Sequence, residues 1–168
     1  YGDVNGNSIE GGAGDDTIRG GAGSDFLRGG GGNDELRFDD LIGSGVNINL
    51  DISSATFQLD GSADVFSGFE TYYISNFDDT IYGSAAADTV DGLFGDDQFF
   101  ASAGTDSLDG GLGFDFIDYS FLTGITNIVA SISPAGITTV TVNGGDNDVL
   151  ENIEGLIGSA GDDSLTGT

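Results

Sequence analysis

Large apolar residues near the start of the chain recur nine positions apart, at Ile9, Ile18, Leu27 and Leu36, with small or polar residues filling most of the interval. A helix repeats near 3.6 residues and a strand every 2, so a period of nine belongs to neither element alone. It is the period of a solenoid, in which each unit is one turn plus one very short strand. Such a unit cannot bury its single apolar side chain until neighbouring units stack on it. The pattern resumes across 74–118, with Ile81, Val90, Phe99, Leu108 and Ile117 at the inward position, and begins again at 158–166. Between these blocks the period drops to two. Val46, Ile48, Leu50 and Ile52 alternate with polar residues, as do Phe57 and Leu59. Farther on, Ile137-Thr-Thr-Val140-Thr-Val142 reads as a strand, preceded by an apolar run around Ile128, Val129 and Ile132, with Pro134-Ala135-Gly136 as the turn between them. Each spacer is expected to hold a pair of longer strands that either widens the solenoid or caps it. No stretch has helical periodicity, none approaches the ~20 apolar residues of a membrane-spanning helix, and no secretory signal peptide is visible. The expected class is all-β.

The clearest units are GGAGDDTIR (11–19), GGAGSDFLR (20–28) and GGGGNDELR (29–37), each reading Gly-Gly-x-Gly-x-Asp before the apolar position. Glycine at the first, second and fourth positions permits positive φ and close backbone approach, so carbonyl oxygens can converge on one point. The aspartate adds hard, charged oxygen, and calcium accepts six to eight such ligands without strict geometry. The site aspartates of the intact units are Asp16, Asp25, Asp34, Asp79, Asp88, Asp97, Asp106, Asp115 and Asp163. Upstream, GDVNGNSIE (2–10) carries Asn7 at that position and should bind weakly or through carbonyls. Asp64 and Asp148 occupy degenerate units, and Glu70 and Glu154 stand one unit before Asp79 and Asp163. The two glutamates are either further ligands or carboxylates that cap a turn. Asp15, Asp78, Asp96 and Asp162, at the fifth position, should face solvent.

This nonapeptide resembles the calcium-binding repeat of RTX, or haemolysin-type, proteins. The resemblance implies a right-handed parallel β-roll, here interrupted by longer β-strand spacers. It also implies 18-residue coils built from two units, with several Ca2+ ions between successive turns on each edge. Residues 18 apart would then share an edge, so Asp16 faces Asp34, Asp79 faces Asp97 and then Asp115, and Asp88 faces Asp106. Further implications are export through a type I secretion system, folding outside the cell, and a secreted or extracellular location at a bacterial surface.

A longer repeat runs through the blocks. IEGLIGSAGDDSLTG (153–167) matches FETYYISNFDDTIYG (69–83), and NDVLENIE (147–154) matches ADVFSGFE (63–70), both at an offset of 84. The expected organisation is a first nonapeptide block at 1–37, a spacer at 38–69, a second block at 70–118, a spacer at 119–153 and the start of a third block at 154–168. With no Met and Tyr at position 1, the sequence is expected to be a stretch of a longer array.

Charge narrows the setting. Asp and Glu number 29 against 3 Lys and Arg, with no His, for a net charge of −26. That excludes electrostatic attraction to nucleic acid or to anionic lipid. So acidic a chain, with 31 glycines, has the composition of a disordered segment unless cations join the fold. About nine ions, one per site aspartate, would offset most of the repulsion. Absence of cysteine fits an extracellular bacterial protein that does without disulfides. The three arginines, Arg19, Arg28 and Arg37, hold the ninth position of consecutive units, so Arg19 and Arg37 should share one face and Arg28 the other. Phe99 and Tyr72 should be core, while Phe100, Phe116 and Tyr82 should be exposed on a sheet face. Without His, Cys or Lys the usual triads, thiol nucleophiles and Schiff bases are ruled out, and no enzyme is expected here. The expected function is a calcium-dependent structural module of an adhesin stalk, surface layer or matrix fibre, with neighbouring modules or copies of itself as partners. The alternatives are a glycan- or protein-binding module, or the non-catalytic calcium-binding part of a secreted toxin or hydrolase.

Overall fold

A computed structural model of the chain describes residues 1–57, 61–124, 127–132, 138–143 and 145–167. The described residues form strands and turns without helix. The first block contributes β1 (Ser8–Ala13), β2 (Thr17–Ile18), β3 (Phe26–Gly31) and β4 (Glu35–Arg37). Then follow β5 (Val46–Asn49), β6 (Ser54–Phe57), β7 (Ala63–Ser67) and β8 (Thr71–Tyr73). The second block supplies β9 (Thr80–Tyr82), β10 (Thr89–Asp91), β11 (Gln98–Phe100), β12 (Ser107–Asp109) and β13 (Phe116–Asp118). After it come β14 (Ile128–Ile132), β15 (Thr138–Val142), β16 (Asp146–Glu151), β17 (Gly155–Ile157) and β18 (Ser164–Gly167).

Within the nonapeptides, consecutive strands fall in opposite sheets, and each pairs in parallel with the strand two units away. The register is 18 residues: Ile9 pairs with Leu27, Ile18 with Leu36, Val90 with Leu108 and Phe99 with Ile117. This is the parallel β-roll. Side chains alternate across a strand, so a three-residue strand turns its middle residue inward and its neighbours outward. The inward residues Ile18, Leu27, Leu36, Ile81, Val90, Phe99, Leu108 and Ile117 are all buried in one continuous core between the sheets. Ile9, on the terminal strand of its sheet, is only partly buried.

The spacers widen the roll, and they do so with three strands rather than two. The first sheet runs β1-β3-β7-β6-β5-β9-β11-β13-β17, the second β18-β14-β15-β16-β12-β10-β8-β4-β2. After β4 the chain does not lay its next strand beside β3. It sets β5 parallel to β9, returns antiparallel through β6, and only then fills the place beside β3 with β7. The second spacer repeats this with β14 parallel to β18, β15 antiparallel, and β16 beside β12. Antiparallel neighbours need only tight turns, whereas parallel ones need a long crossover, so a meander is the short way to add strands to one sheet. Six strands, β8 to β13, alternate between the sheets from one insertion to the next; because that number is even, the insertions land in opposite sheets. Ile52 does not continue the alternation of β5. It sits in the turn before β6 and is 68% exposed, because the hairpin reverses there. Leu59, Ile137 and Pro134-Ala135-Gly136 lie outside the described residues.

Candidate metal sites at the turn edges

The aspartates stand on the two edges where the chain crosses from sheet to sheet, and hydrogen bonds join them into ladders. Each carboxylate accepts the backbone N–H of the equivalent residue one coil earlier. On the edge leading into the first sheet, Asn7 donates to Asp25 Oδ1 and Asp25 to Asp64 Oδ1, both at 2.8 Å. On the same edge Asp79 donates to Asp97 (2.8 Å), Asp97 to Asp115 (2.7 Å) and Asp115 to Glu154 Oε2 (2.8 Å). On the opposite edge Asp16 donates to Asp34 (2.9 Å) and Asp34 to Glu70 Oε2 (2.8 Å), then Asp88 to Asp106 and Asp106 to Asp148, each at 3.0 Å. Asp79 and Asp163 accept from Val46 and Ile128, the first residues of inserted strands.

The pairs expected at a spacing of 18 are therefore adjacent. Sequence reasoning did not find the partners across the spacers, which are 36 to 42 residues apart: Asp25 with Asp64, Asp34 with Glu70, Asp106 with Asp148, and Asp115 with Glu154. One signal was present. Asp64 and Asp148 precede the buried Phe66 and Leu150 by two residues, as Asp25 precedes Leu27. Glu70 and Glu154 are exposed and occupy an aspartate's rung, each holding a turn N–H. The fifth-position carboxylates Asp15, Asp78, Asp96 and Asp162 are exposed as expected. Asp15, Asp78 and Asp96 also form an outer ladder, accepting the N–H of Asn33, Asp96 and Phe114.

One oxygen of each inner carboxylate is thus used. Among the described residues, Oδ2 of Asp16, Asp25, Asp34, Asp64, Asp97 and Asp115 is buried with no hydrogen-bond partner. Asp64, Asp97 and Asp115 are wholly inaccessible to solvent. A buried anionic oxygen facing nothing is costly and calls for a cation or a proton. Burial pushes Asp97 up to about 8, helped by the charges of Asp79 and Asp115, and pushes Asp64 up to about 7. Burial likewise lifts Asp79, Asp106 and Asp115 to about 6 and raises Asp25 and Asp148.

The surrounding backbone is close enough to share in coordination. At Gly11 an added Cβ would lie 2.6 Å from Asp16 Oδ2 and 2.7 Å from the Gly29 carbonyl oxygen. At Gly30, with φ +125°, it would run into the Gly12 carbonyl of the preceding coil. Among the described residues no three acidic side chains converge on one point. An ion would therefore be held by single carboxylates from successive coils together with turn carbonyls, a donor set of hard oxygens suited to calcium.

The model of the RTX calcium-binding nonapeptide repeat (4 copies) matches residues 1–36, 75–99, 82–117 and 156–168, more than half of the chain. The chain belongs to this RTX repeat family. No curated protein matches it. The RTX chain is a calcium-binding repeat module, and its ligand is Ca2+.

Outside the edges, the arginines of this RTX module neutralise local acid. Arg19 and Arg37 share the face of the second sheet and converge on Asp39 at 2.7 Å and 3.0 Å, while Arg28 lies on the first sheet, 3.7 Å from Glu10. The Arg19 hydrogen bond, then that of Arg37, holds the Asp39 carboxyl down at about 2 against the opposing effect of burial. Arg37 also lies over the Tyr73 ring at 3.9 Å. Phe99 is buried and Tyr72 partly so. Phe100 and Phe116 are half-buried rather than exposed. Phe100 is covered because Tyr82 stacks on it at 4.5 Å and Phe121 meets it edge-on at 5.1 Å.

Proposed function

We propose that this RTX module is a calcium-responsive structural element of a secreted bacterial surface or extracellular protein, such as an adhesin stalk, surface layer or matrix fibre. It would be exported unfolded by type I secretion and fold on meeting calcium outside the cell. The observation that carries this reading is the row of buried, partnerless carboxylate oxygens repeated along both edges. A fold that buries one apolar side chain per nine residues, at a net charge of −26, has little else to offset its own repulsion. Each ion would bind only the stacked form, so binding and folding are linked and propagate between neighbouring coils. Extracellular calcium modules bind at about 10⁻⁴–10⁻³ M, a range that separates the cell interior from its surroundings. The site aspartates, with Glu70 and Glu154 at the ends of ladders, are the residues assigned to this role, and no catalytic role is assigned to the module.

A module that holds a glycan or a neighbouring protein is the second reading, favoured by the aromatic cluster of Tyr82, Phe100 and Phe121 on the outer face of the first sheet. Far-UV circular dichroism with calcium and with excess chelator tests the first reading. At pH 8 ordered β signal is expected only with calcium, and its persistence in chelator at that pH would overturn the reading.

A further inference from the structure

The inner aspartates divide into two classes, and the residue four positions earlier divides them. In the units of Asp79, Asp88 and Asp106, where the second position is serine, both carboxylate oxygens accept hydrogen bonds. Ser75 gives Asp79 both its hydroxyl (2.7 Å) and its N–H (2.9 Å), and Ser84 does the same for Asp88 at 2.8 Å and 2.7 Å. The Ser102 hydroxyl lies 2.9 Å from Asp106 Oδ2 and 3.5 Å from Asp88 Oδ2, between carboxylates of successive coils. Ser159 holds Asp163 at 2.7 Å. Where that position is not serine, in the units of Asp16, Asp25, Asp34, Asp97 and Asp115, Oδ2 has no partner among the described residues.

The backbone divides in the same way. Gly12, Gly21, Gly30, Leu93 and Gly111 hold the second position of the open units, all with positive φ, whereas none of the four serines has it. Leu93, at φ +75°, shows that glycine is not the criterion. A leucine accepts a conformation it disfavours, and the Asp97 oxygen in its turn stays open. In the serine turns of Asp79 and Asp88 an N–H points at the carboxylate, so a cation there would meet the positive end of a dipole. The degenerate units carry the distinction further. The Tyr119 hydroxyl donates to Asp148 Oδ2 at 2.7 Å, closing it. Phe38, the residue corresponding to Tyr119 in the first spacer, has no hydroxyl, and Asp64 Oδ2 is partnerless.

We propose that serine and tyrosine hydroxyls replace ions along part of this RTX roll, so that calcium is held unevenly. The ions sit at the open carboxylates Asp16, Asp25, Asp34, Asp64, Asp97 and Asp115. The edge formed by Asp88, Asp106 and Asp148 is closed by Ser84, Ser102 and Tyr119 and takes none. The second block then carries its calcium on the edge leading into the first sheet, while the opposite edge of the folded roll is held by hydrogen bonds without ions. This rests on the calcium-dependent reading above and lowers the expected ion count below one per aspartate.

Counting bound calcium per chain by equilibrium dialysis, with the folding midpoint in calcium read by circular dichroism, tests it. Asp97→Asn should lose bound calcium and raise the midpoint several-fold. Asp106→Asn should bind as many ions as the parent, with a midpoint within about twofold. Ser84→Gly combined with Ser102→Gly, which keeps every carboxylate, should bind at least one additional ion. Equal losses in Asp97→Asn and Asp106→Asn would overturn the proposal. So would a double serine variant that binds no extra calcium or cannot fold at saturating calcium. If either asparagine variant fails to fold, the ion count of the double serine variant decides. A parent chain that binds no calcium at millimolar concentration overturns the proposed function itself, a result distinct from all of these.

Discussion

Tyr119→Phe removes one oxygen atom and leaves the packing of the ring intact. Tyr119 and Asp148 are both buried, and their 2.7 Å hydrogen bond is the sole partner of Asp148 Oδ2 among the described residues. Without the hydroxyl that oxygen faces no donor, and no solvent can reach it. A hydrogen bond to a charged group contributes about 1.5–3 kcal/mol, and a buried acceptor left unsatisfied retains its full desolvation cost. In a chain of this size each kcal/mol moves the thermal midpoint by about 2–4 °C, so a fall of roughly 3–12 °C is expected. The measurement is urea and thermal unfolding of calcium-saturated protein, with Tyr119→Phe, Asp148→Ala and the double variant forming a thermodynamic cycle. A coupling of at least about 1 kcal/mol should emerge, because either single change breaks the same bond. A Tyr119→Phe loss under about 0.5 kcal/mol, or single effects that simply add, would refute the argument that this hydroxyl is what closes Asp148.

Three other outcomes are expected. Burial lifts Asp79, Asp106 and Asp115 to about 6, Asp64 to about 7 and Asp97 to about 8, above the ordinary 3.8, so protonation favours the metal-free fold. That stabilisation is complete below about pH 4 and lost as pH rises through about 6 to 8. In chelator the β signal should therefore grow on acidification across this window, while apparent calcium affinity falls as protons compete; pH-independent spectra in chelator would contradict it. Gly30→Ala should cost clearly more than Gly12→Ala in thermal unfolding. Both have strongly positive φ, costing about 1–3 kcal/mol for a non-glycine residue, but only at Gly30 would the new Cβ strike the backbone of the adjacent coil. Equal costs would count against that close approach. Asp39→Ala, which strips Arg19 and Arg37 of their shared, partly exposed acceptor, should cost about 1 kcal/mol at neutral pH. Because Asp39 titrates at about 2, that contribution exists above about pH 4 and fades as pH falls through about 2, so the two proteins should converge in strong acid.

Much of the fold was legible because it is periodic. One inward apolar residue every nine positions can be buried only by stacking, and stacking at an 18-residue register brings Asp79 beside Asp97 and Asp97 beside Asp115. The spacers were less legible. Their alternation announces strands, but whether β5 lies beside β3 or beside β9 is set by pairing between residues far apart in sequence, such as Asn47 with Thr80. The same is true of Asp64, which joins the ladder of Asp25 only because β7 returns to the side of β3.

By itself the sequence determined the repeat, the all-β class, the inward positions and the carboxylates available for calcium, since these follow from local spacing and from the chemistry of single residues. The tertiary structure alone decided which sheet each insertion widens, which distant carboxylates meet across a spacer, and that the Tyr119 hydroxyl meets Asp148. Those depend on what faces what. Ser84 closes Asp88 from four residues earlier in the same turn, a local effect, whereas Tyr119 closes Asp148 from 29 residues away and does so only because the coils stack.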